Sequence, residues 1–500
     1  MTTHDQTFEA LCQQLRKAAQ LESINSLLNW DERTYMPSQA GEYRAEQIAT
    51  VTSLTHDCRT DRRIGEWLDA LADHPGLAEP ASDVATVIRR ARRDYDRHVK
   101  LPSRLVEELA RQSVTGQQVW VEARKANDFA KLAPSLEAIV RLKREQAACW
   151  GYADCPYDAL LDEYEPDART RDVAATMEGL RAELVPLVQE VLGRDRGVPR
   201  DLLNRHYPQS VQARFGQEMA AALGFDFQRG RLDITHHPFC TEMGPHDCRI
   251  TTRYDERFFP SAFFGILHEA GHGMYEQGRR PDQYGLPTGQ YVSLGIHESQ
   301  SRLWENQVGR SRAFWTHAFP LAQHAFPDSL GSVPLDDFVL AINDVRPSLI
   351  RVEADEATYN LHILVRFELE QALIHDELKV ADLPEAWNAK YKQYLDIEPA
   401  TNAEGVMQDI HWPAALLGYF PTYTLGNLYA AQFFEAMDRE FQGIDRLMAR
   451  GEFAPILEWL RTHVHQHGQT FTPAQLLQRA TGQTLSHAAL IRHLRGKLLP

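Results

Sequence analysis

The stretch "FFGILHEAGHGMYEQG", residues 263–278, joins a strongly apolar approach to the pattern His-Glu-x-x-His. Read as a helix, it places residues four apart one above the other on the same face, so His268 and His272 present two imidazoles to one point. Glu269 lies beside that point but is turned away from direct ligation, which suits a general base acting on a water activated by a metal ion. The chain holds 21 histidines, and chance produces the motif in roughly one such sequence in twenty, so the bare pattern also fits a histidine pair on a solvated face. The flank decides between them. Phe263, Phe264, Ile266 and Leu267 place the imidazoles inside, where an unpaired polar group is costly and a partner is required.

A catalytic zinc site takes three protein ligands and keeps a fourth position open. The loop "RRPDQYGLPTGQ" (279–290) leads from the motif to a second helix-like segment, "GIHESQSRLWENQ" (295–307). A helix, a loop and a second helix let Glu298, 26 residues after His272, face the histidine pair. His297 competes for the same place, and spacing alone does not separate the two.

The rest of the chain bounds the class. With 43% hydrophobic and 24% charged residues among 500, it has ample material for a large core. A formal charge of -16 argues against a nucleic-acid or anionic-membrane surface as its main business. The opening "MTTHDQTFEALCQQLRKAAQ" (1–20) lacks the basic start and apolar run of an export signal, and no apolar run approaches the roughly 20 residues needed to span a bilayer. A cytoplasmic location is the expectation. The six cysteines are scattered and read as reduced thiols; Cys240 and Cys248 are near enough in sequence to raise a local bridge, against which a reducing compartment argues.

Helical periodicity dominates. Val173, Met177, Leu180, Leu184, Leu187 and Val191 form one stripe that ends at Gly193, and a second runs from Ile350 through Ala354, Ala357, Leu361 and Leu364 to Leu373. Residues 231–254 break the pattern: Cys248, Ile250, Thr252 and Tyr254 alternate with Asp247, Arg249, Thr251 and Arg253, which fits a small antiparallel sheet turning at Gly244-Pro245. The fold class is therefore mainly α with a small antiparallel β-sheet near the metal site. No linker divides it, so residues 1–500 read as one domain, with 1–230 as helical scaffold and 231–500 carrying the motifs.

Taken in order, "HPF" (237–239), "DCRIT" (247–251), "HEAGH" (268–272), "HESQ" (297–300), "IRVEAD" (350–355) and "GYFPTYTLGN" (418–427) resemble the metallocarboxypeptidase family typified by carboxypeptidase Taq, with "NWDERTYMP" (29–37) a weaker echo. The resemblance implies a helical, saddle- or clam-shaped body with a deep cleft, related to neurolysin and angiotensin-converting enzyme. It implies a homodimer that uses one zinc or cobalt ion per chain and releases C-terminal amino acids from peptides with broad specificity. It also implies His268, His272 and Glu298 as the metal ligands.

An exopeptidase must hold a free carboxylate, which calls for arginine, and Arg249 and Arg351 are the candidates. Arg249 lies on a strand face between Asp247 and Thr251, which could hold it. Arg351 reads as a helix residue four before Asp355, the plain alternative being an intrahelical ion pair. Negative charge on the scissile carbonyl oxygen needs a donor opposite the metal. Tyr423 and His411 are chosen by likeness to the pair found late in angiotensin-converting-enzyme relatives, with Tyr419 competing. His237 either contacts substrate or fixes the hairpin. "HVHQH" (463–467) is richer in histidine but lacks a nearby acid and reads as a helix end, and "HDCRT" (56–60) reads as a charged loop. The expected activity is metal-dependent carboxypeptidase, with Glu269 as general base. The rivals are an oligopeptidase or dipeptidyl carboxypeptidase on the same scaffold, or a helical binding protein with a structural metal.

Overall fold

A capping box starts the first helix, α1 (Thr3–Thr34): Thr2 Oγ1 accepts from the Asp5 amide while the Asp5 carboxylate accepts from the Thr2 amide. The computed structural model to which it belongs describes residues 2–499. Helix α2 (Gly41–Arg59) folds back on α1, tied to it by Arg44 and Asp31 at 2.7 Å. Its last turn contains His56–Arg59, so "HDCRT" is a helix end and not a loop; Thr60 closes that turn with a bond from its amide to the His56 carbonyl. Leu11, Cys12, Ile64, Leu68, Val87 and Ile88 make a small core of their own under this N-terminal layer. A second, much larger cluster of buried residues runs continuously from Ala123 to Leu498 and draws on both halves of the chain.

Helix α3 (Thr170–Leu192) buries Val173, Met177, Leu180, Leu184, Leu187 and Val191, the stripe read from the sequence. Strands β1 (Gly230–Ile234), β2 (Cys240–Glu242) and β3 (Cys248–Thr252) form a sheet in the order β1-β3-β2. β2 runs antiparallel to β3, as expected, but β1 pairs with β3 in parallel, so the sheet is mixed. Alternation reports which face a side chain takes, not which strand lies beside it, and here β3 inserts between its two predecessors. The turn does fall at Gly244-Pro245, where Gly244 takes φ +128°, a conformation that glycine adopts without strain.

The family-like stretch near the N-terminus docks α1 on this sheet. Trp30 lies 4.2 Å from the Arg249 guanidinium, Arg33 stands over Phe239, and the Tyr35 hydroxyl donates to Asp233 at 2.6 Å.

Helix α4 (Phe259–Gly278) lies across the sheet and is rooted by Phe259 and Phe263, which stack 5.1 Å apart and meet Phe215, Trp315 and Phe326. Each such ring contributes about 1.5–3 kcal/mol by leaving water, so the approach to the histidines is also what anchors the helix. Helix α5 (Leu294–Arg302), capped by Ser293 Oγ on the Ile296 amide, runs into a π-helical turn, Leu303–Val308.

The stripe beginning at Ile350 is interrupted. Arg351–Glu353 is a 3-10 turn, Ala354 is extended, and helix α6 (Tyr359–Ile374) starts only after Asp355 has taken the amides of Ala357 and Thr358. Asp355 is thus a local cap and not the helical partner of Arg351. Helix α7 (Pro421–Phe441) follows a long stretch of turns. No helix among the described residues is long and apolar enough to cross a membrane.

Candidate metal centre

Helices α4 and α5 meet at backbone distance because the motif contains Gly271. A Cβ there would stand 2.6 Å from the Gln300 carbonyl oxygen and 2.7 Å from the Ser301 Cα. From the other side Gly426 of α7 admits Glu298, whose Cγ and Cβ would lie 2.6 and 2.7 Å from a Cβ at 426. Two glycines therefore let one glutamate reach the histidine face.

The result is a cluster. Ligand atoms of His268, His272 and Glu298 all lie within 4.8 Å of one another, the one such group among the described residues. Glu298 Oε2 is 3.8 Å from His268 Nε2 and 3.5 Å from His272 Nε2. Both Nδ1 atoms are engaged elsewhere: His268 Nδ1 with Glu305 Oε2 at 2.9 Å, and His272 Nδ1 with the His297 carbonyl at 3.1 Å. Nδ1–H donation to these acceptors leaves each Nε2 lone pair aimed at Glu298. His297 stays outside the group; its ring stacks 4.4 Å from that of His272 and its Nε2 meets Glu276 at 2.7 Å.

The electrostatics agree with a cation site. Burial, reinforced by His297, holds His272 down at about 3, the neutral state that ligation requires. Burial also opposes a charged His268, but Glu298 and Glu305 override it and raise its pKa. Glu298 is buried, yet Arg302 and the two histidines keep its carboxyl well below the usual range. Arg302 Nε donates to Glu298 at 2.7 Å and its Nη1 to Glu305 at 3.1 Å. Glu269 is 6% exposed. Burial pushes it up to about 7 against the pull of His268, with Glu298 and Glu305 adding to the rise. The set of two imidazole nitrogens and one carboxylate oxygen suits zinc and its borderline neighbours.

The other expected residues fall into two groups. His411 Nε2 lies 3.1 Å from Tyr423 Oη, and Tyr419 packs edge-on to Tyr423 at 5.4 Å. Burial, opposed by Asp409 and aided by Arg351 and Arg366, holds His411 at about 4, so it is neutral. Burial and Tyr419 keep the Tyr423 hydroxyl protonated, and the charge of Glu298 is felt there too. Arg351, 7% exposed, bonds Asp409 through Nε at 2.9 Å and Tyr359 Oη through Nη1 at 3.0 Å. Its guanidinium stands 5.2 Å from the Tyr423 ring. Asp409 also takes Arg366, at 2.7 Å, so two arginines share one carboxylate and a positive charge is left over.

Arg249 is held by Asp247 alone, through two bonds of 2.9 Å, and lies on Trp30. Thr251, the other expected holder, instead bonds both the amide and the carbonyl of Phe239. Thr251 thus fixes the hairpin, while His237 is exposed. In "HVHQH", His465 is buried against Gln300 Oε1 at 2.9 Å and His463 packs on Trp459, so these rings serve the core. All six cysteines are free, with Cys240 and Cys248 sulfurs 3.6 Å apart. A cavity of about 700 Å³ opens beside β1 against Tyr35, Asp233 and Ile234 and includes none of the cluster residues.

Glu305, Arg302, Asp409 and the two glycines were not singled out in the sequence. Asp409 stands two residues before His411 and could have been found there; Glu305 lies in the π-helical turn, where helical spacing misleads.

Comparison with known proteins accords with this geometry. The carboxypeptidase Taq (M32) metallopeptidase family matches residues 10–498. "Thermostable carboxypeptidase 1" of Thermus thermophilus is 45% identical, covering 99% of each chain, and "Carboxypeptidase 1" of Bacillus subtilis is 38% identical over 97% of this chain and 96% of its own. The crystal structure of an M32 carboxypeptidase from Deinococcus radiodurans superposes with a TM-score of 0.95 at 40% identity, covering 99% of both chains.

Proposed function

The chain belongs to the carboxypeptidase Taq (M32) metallopeptidase family and is a metallocarboxypeptidase, and from that premise we propose which residues do the work. His268, His272 and Glu298 hold one divalent ion, zinc by the donor set, with cobalt the alternative. When bound there, the ion supplies Lewis acidity, which lowers the pKa of a water and polarises a carbonyl.

The other steps belong to the protein's side chains. Glu269, poised at about 7, takes the proton of the attacking water and returns it to the leaving amine. His411 donates through Nε2–H to Tyr423 Oη, which frees the tyrosine proton to stabilise the negative carbonyl oxygen. Arg351 holds the terminal carboxylate. It is preferred to Arg249 because Asp409 is shared between two arginines, whereas Asp247 neutralises Arg249 by itself. Tyr419 and His237 line the substrate's path.

The observation that carries the proposal is the convergence of the three ligand atoms beside a buried glutamate of raised pKa. Metal analysis of the purified protein, together with the mass of the first product from an N-blocked tetrapeptide, tests it. One ion per chain and loss of one residue are expected, and a metal-free active preparation would sink it. Broad side-chain preference, a homodimer and a cytoplasmic setting complete the proposal. The continuous core from Ala123 to Leu498 supports one catalytic domain, and the acidic balance disfavours nucleic-acid partners.

A further inference from the structure

His411 and Tyr419 lie in residues 396–420, a stretch without helix or strand that leads directly into Tyr423. An irregular segment can present side chains with fixed geometry only if it is tied to something rigid. The ties run to α6. Arg366 holds Asp409, two residues before His411. One helical turn further on, Glu370 reaches the other side.

Glu370 is fully buried and accepts three hydrogen bonds. Its Oε1 takes Trp412 Nε1 at 2.8 Å; its Oε2 takes the Gly418 amide at 2.9 Å and the Tyr157 hydroxyl at 2.5 Å. Gly418 can bring its amide there because it has φ +93° and passes so close to Leu160 that a Cβ would stand 2.6 Å from the Leu160 carbonyl oxygen. One carboxylate therefore grips residues 412 and 418, the immediate neighbours of His411 and Tyr419. A buried carboxylate adds little to stability that an apolar side chain would not supply, so its presence here calls for another purpose.

We propose that Glu370 is a positioning residue for peptide hydrolysis: by clamping Trp412 and Gly418 to α6 it holds His411 in register with the metal cluster and, through His411, the hydroxyl of Tyr423 on α7. The inference rests on the reading of His411 and Tyr423 as the pair that stabilises the carbonyl oxygen. Glu370 touches neither substrate nor metal, and its loss acts on the rate of the chemical step.

Five variants test it. Glu370→Gln keeps the size but replaces one acceptor with a donor, and its kcat should fall about 10- to 100-fold with KM and bound metal changed by less than about twofold. Trp412→Phe, which removes one clamped donor, should show a smaller fall of the same kind. Tyr157→Phe removes the one donor outside the segment and should lower Tm while leaving kcat unchanged. Glu370→Gln combined with Tyr423→Phe should be no slower than Tyr423→Phe alone, because both act through the same donor. Unchanged kcat in Glu370→Gln beside a slow Tyr423→Phe would overturn this inference alone, as would equal losses in Tyr157→Phe and Glu370→Gln. Full activity in Tyr423→Phe would overturn the underlying reading and this inference with it. Should Glu370→Gln fail to fold, the contrast between Trp412→Phe and Tyr157→Phe carries the same test.

Discussion

Gly271 lies backbone to backbone against Gln300, with room for no side chain: a Cβ at 271 would approach the Gln300 carbonyl oxygen to 2.6 Å. The contact joins the helix that carries both histidines to the helix that carries Glu298. Gly271→Ala must push these helices apart. It is expected to lower stability by about 1–3 kcal/mol and to weaken metal retention more than a core substitution of equal cost elsewhere. Chelator titration at a temperature where the variant remains folded checks this.

Glu269→Gln keeps the shape of the site and removes the proton acceptor. Bound metal should stay at the wild-type level while kcat falls by about 10³-fold or more. Metal content and peptide turnover on the same preparation decide it, and retained turnover would rule out Glu269 as the base.

Glu305 fixes His268 through Nδ1 at 2.9 Å without reaching the cluster itself. Glu305→Gln should weaken metal affinity by about 10- to 100-fold, with activity returning when excess metal is supplied. Competition against a chromogenic chelator measures the first part, and a metal-rescue curve the second.

Arg351→Gln should raise KM by about tenfold or more, the order of a lost charge-assisted bond. The penalty should vanish when the substrate ends in an amide, since such a peptide offers no carboxylate to hold. Equal losses on free and amidated peptides would point away from Arg351 as the anchor.

Glu165 gives a pH dependence of stability whose sign can be worked out. Burial raises its pKa to about 7, opposed by bonds from Tyr429, Ser293 and the Gly295 amide. The folded chain therefore binds a proton that the unfolded chain has released between about pH 4.5 and 7. The contribution is fully present below that window and is lost as pH rises through it, by at most about 3 kcal/mol. In thermal melts from pH 5 to 7.5 the wild type should lose Tm relative to Glu165→Gln as pH rises, a comparison that cancels the opposite trend of the buried neutral histidines His272 and His411.

Much of the site was legible because local chemistry is written in local spacing. The two histidines share a helix, so their four-residue separation alone puts them on one face, and the phenylalanines before them announce the burial that the structure shows. Glu298 was reachable by asking for a third ligand and was favoured over His297 by the family resemblance; the stacking of His297 on His272 and the opening made by Gly426 give that preference a physical reason. The alternation in β3 identified its faces, yet the insertion of β3 between β1 and β2 could not be read from it. Arg351 was misplaced on a helix because apolar residues happened to keep helical spacing across a turn that Asp355 caps.

The sequence by itself determined the helical class, the metal motif and the burial of its flank, since each depends on residues within a few turns of one another. Tertiary structure alone decided what holds those residues still: Glu305 on His268, Asp409 between two arginines, Glu370 on Trp412 and Gly418. These partners are brought together only when helices pack, and hydrogen bonds made across 37 to 58 residues leave no periodic trace along the chain.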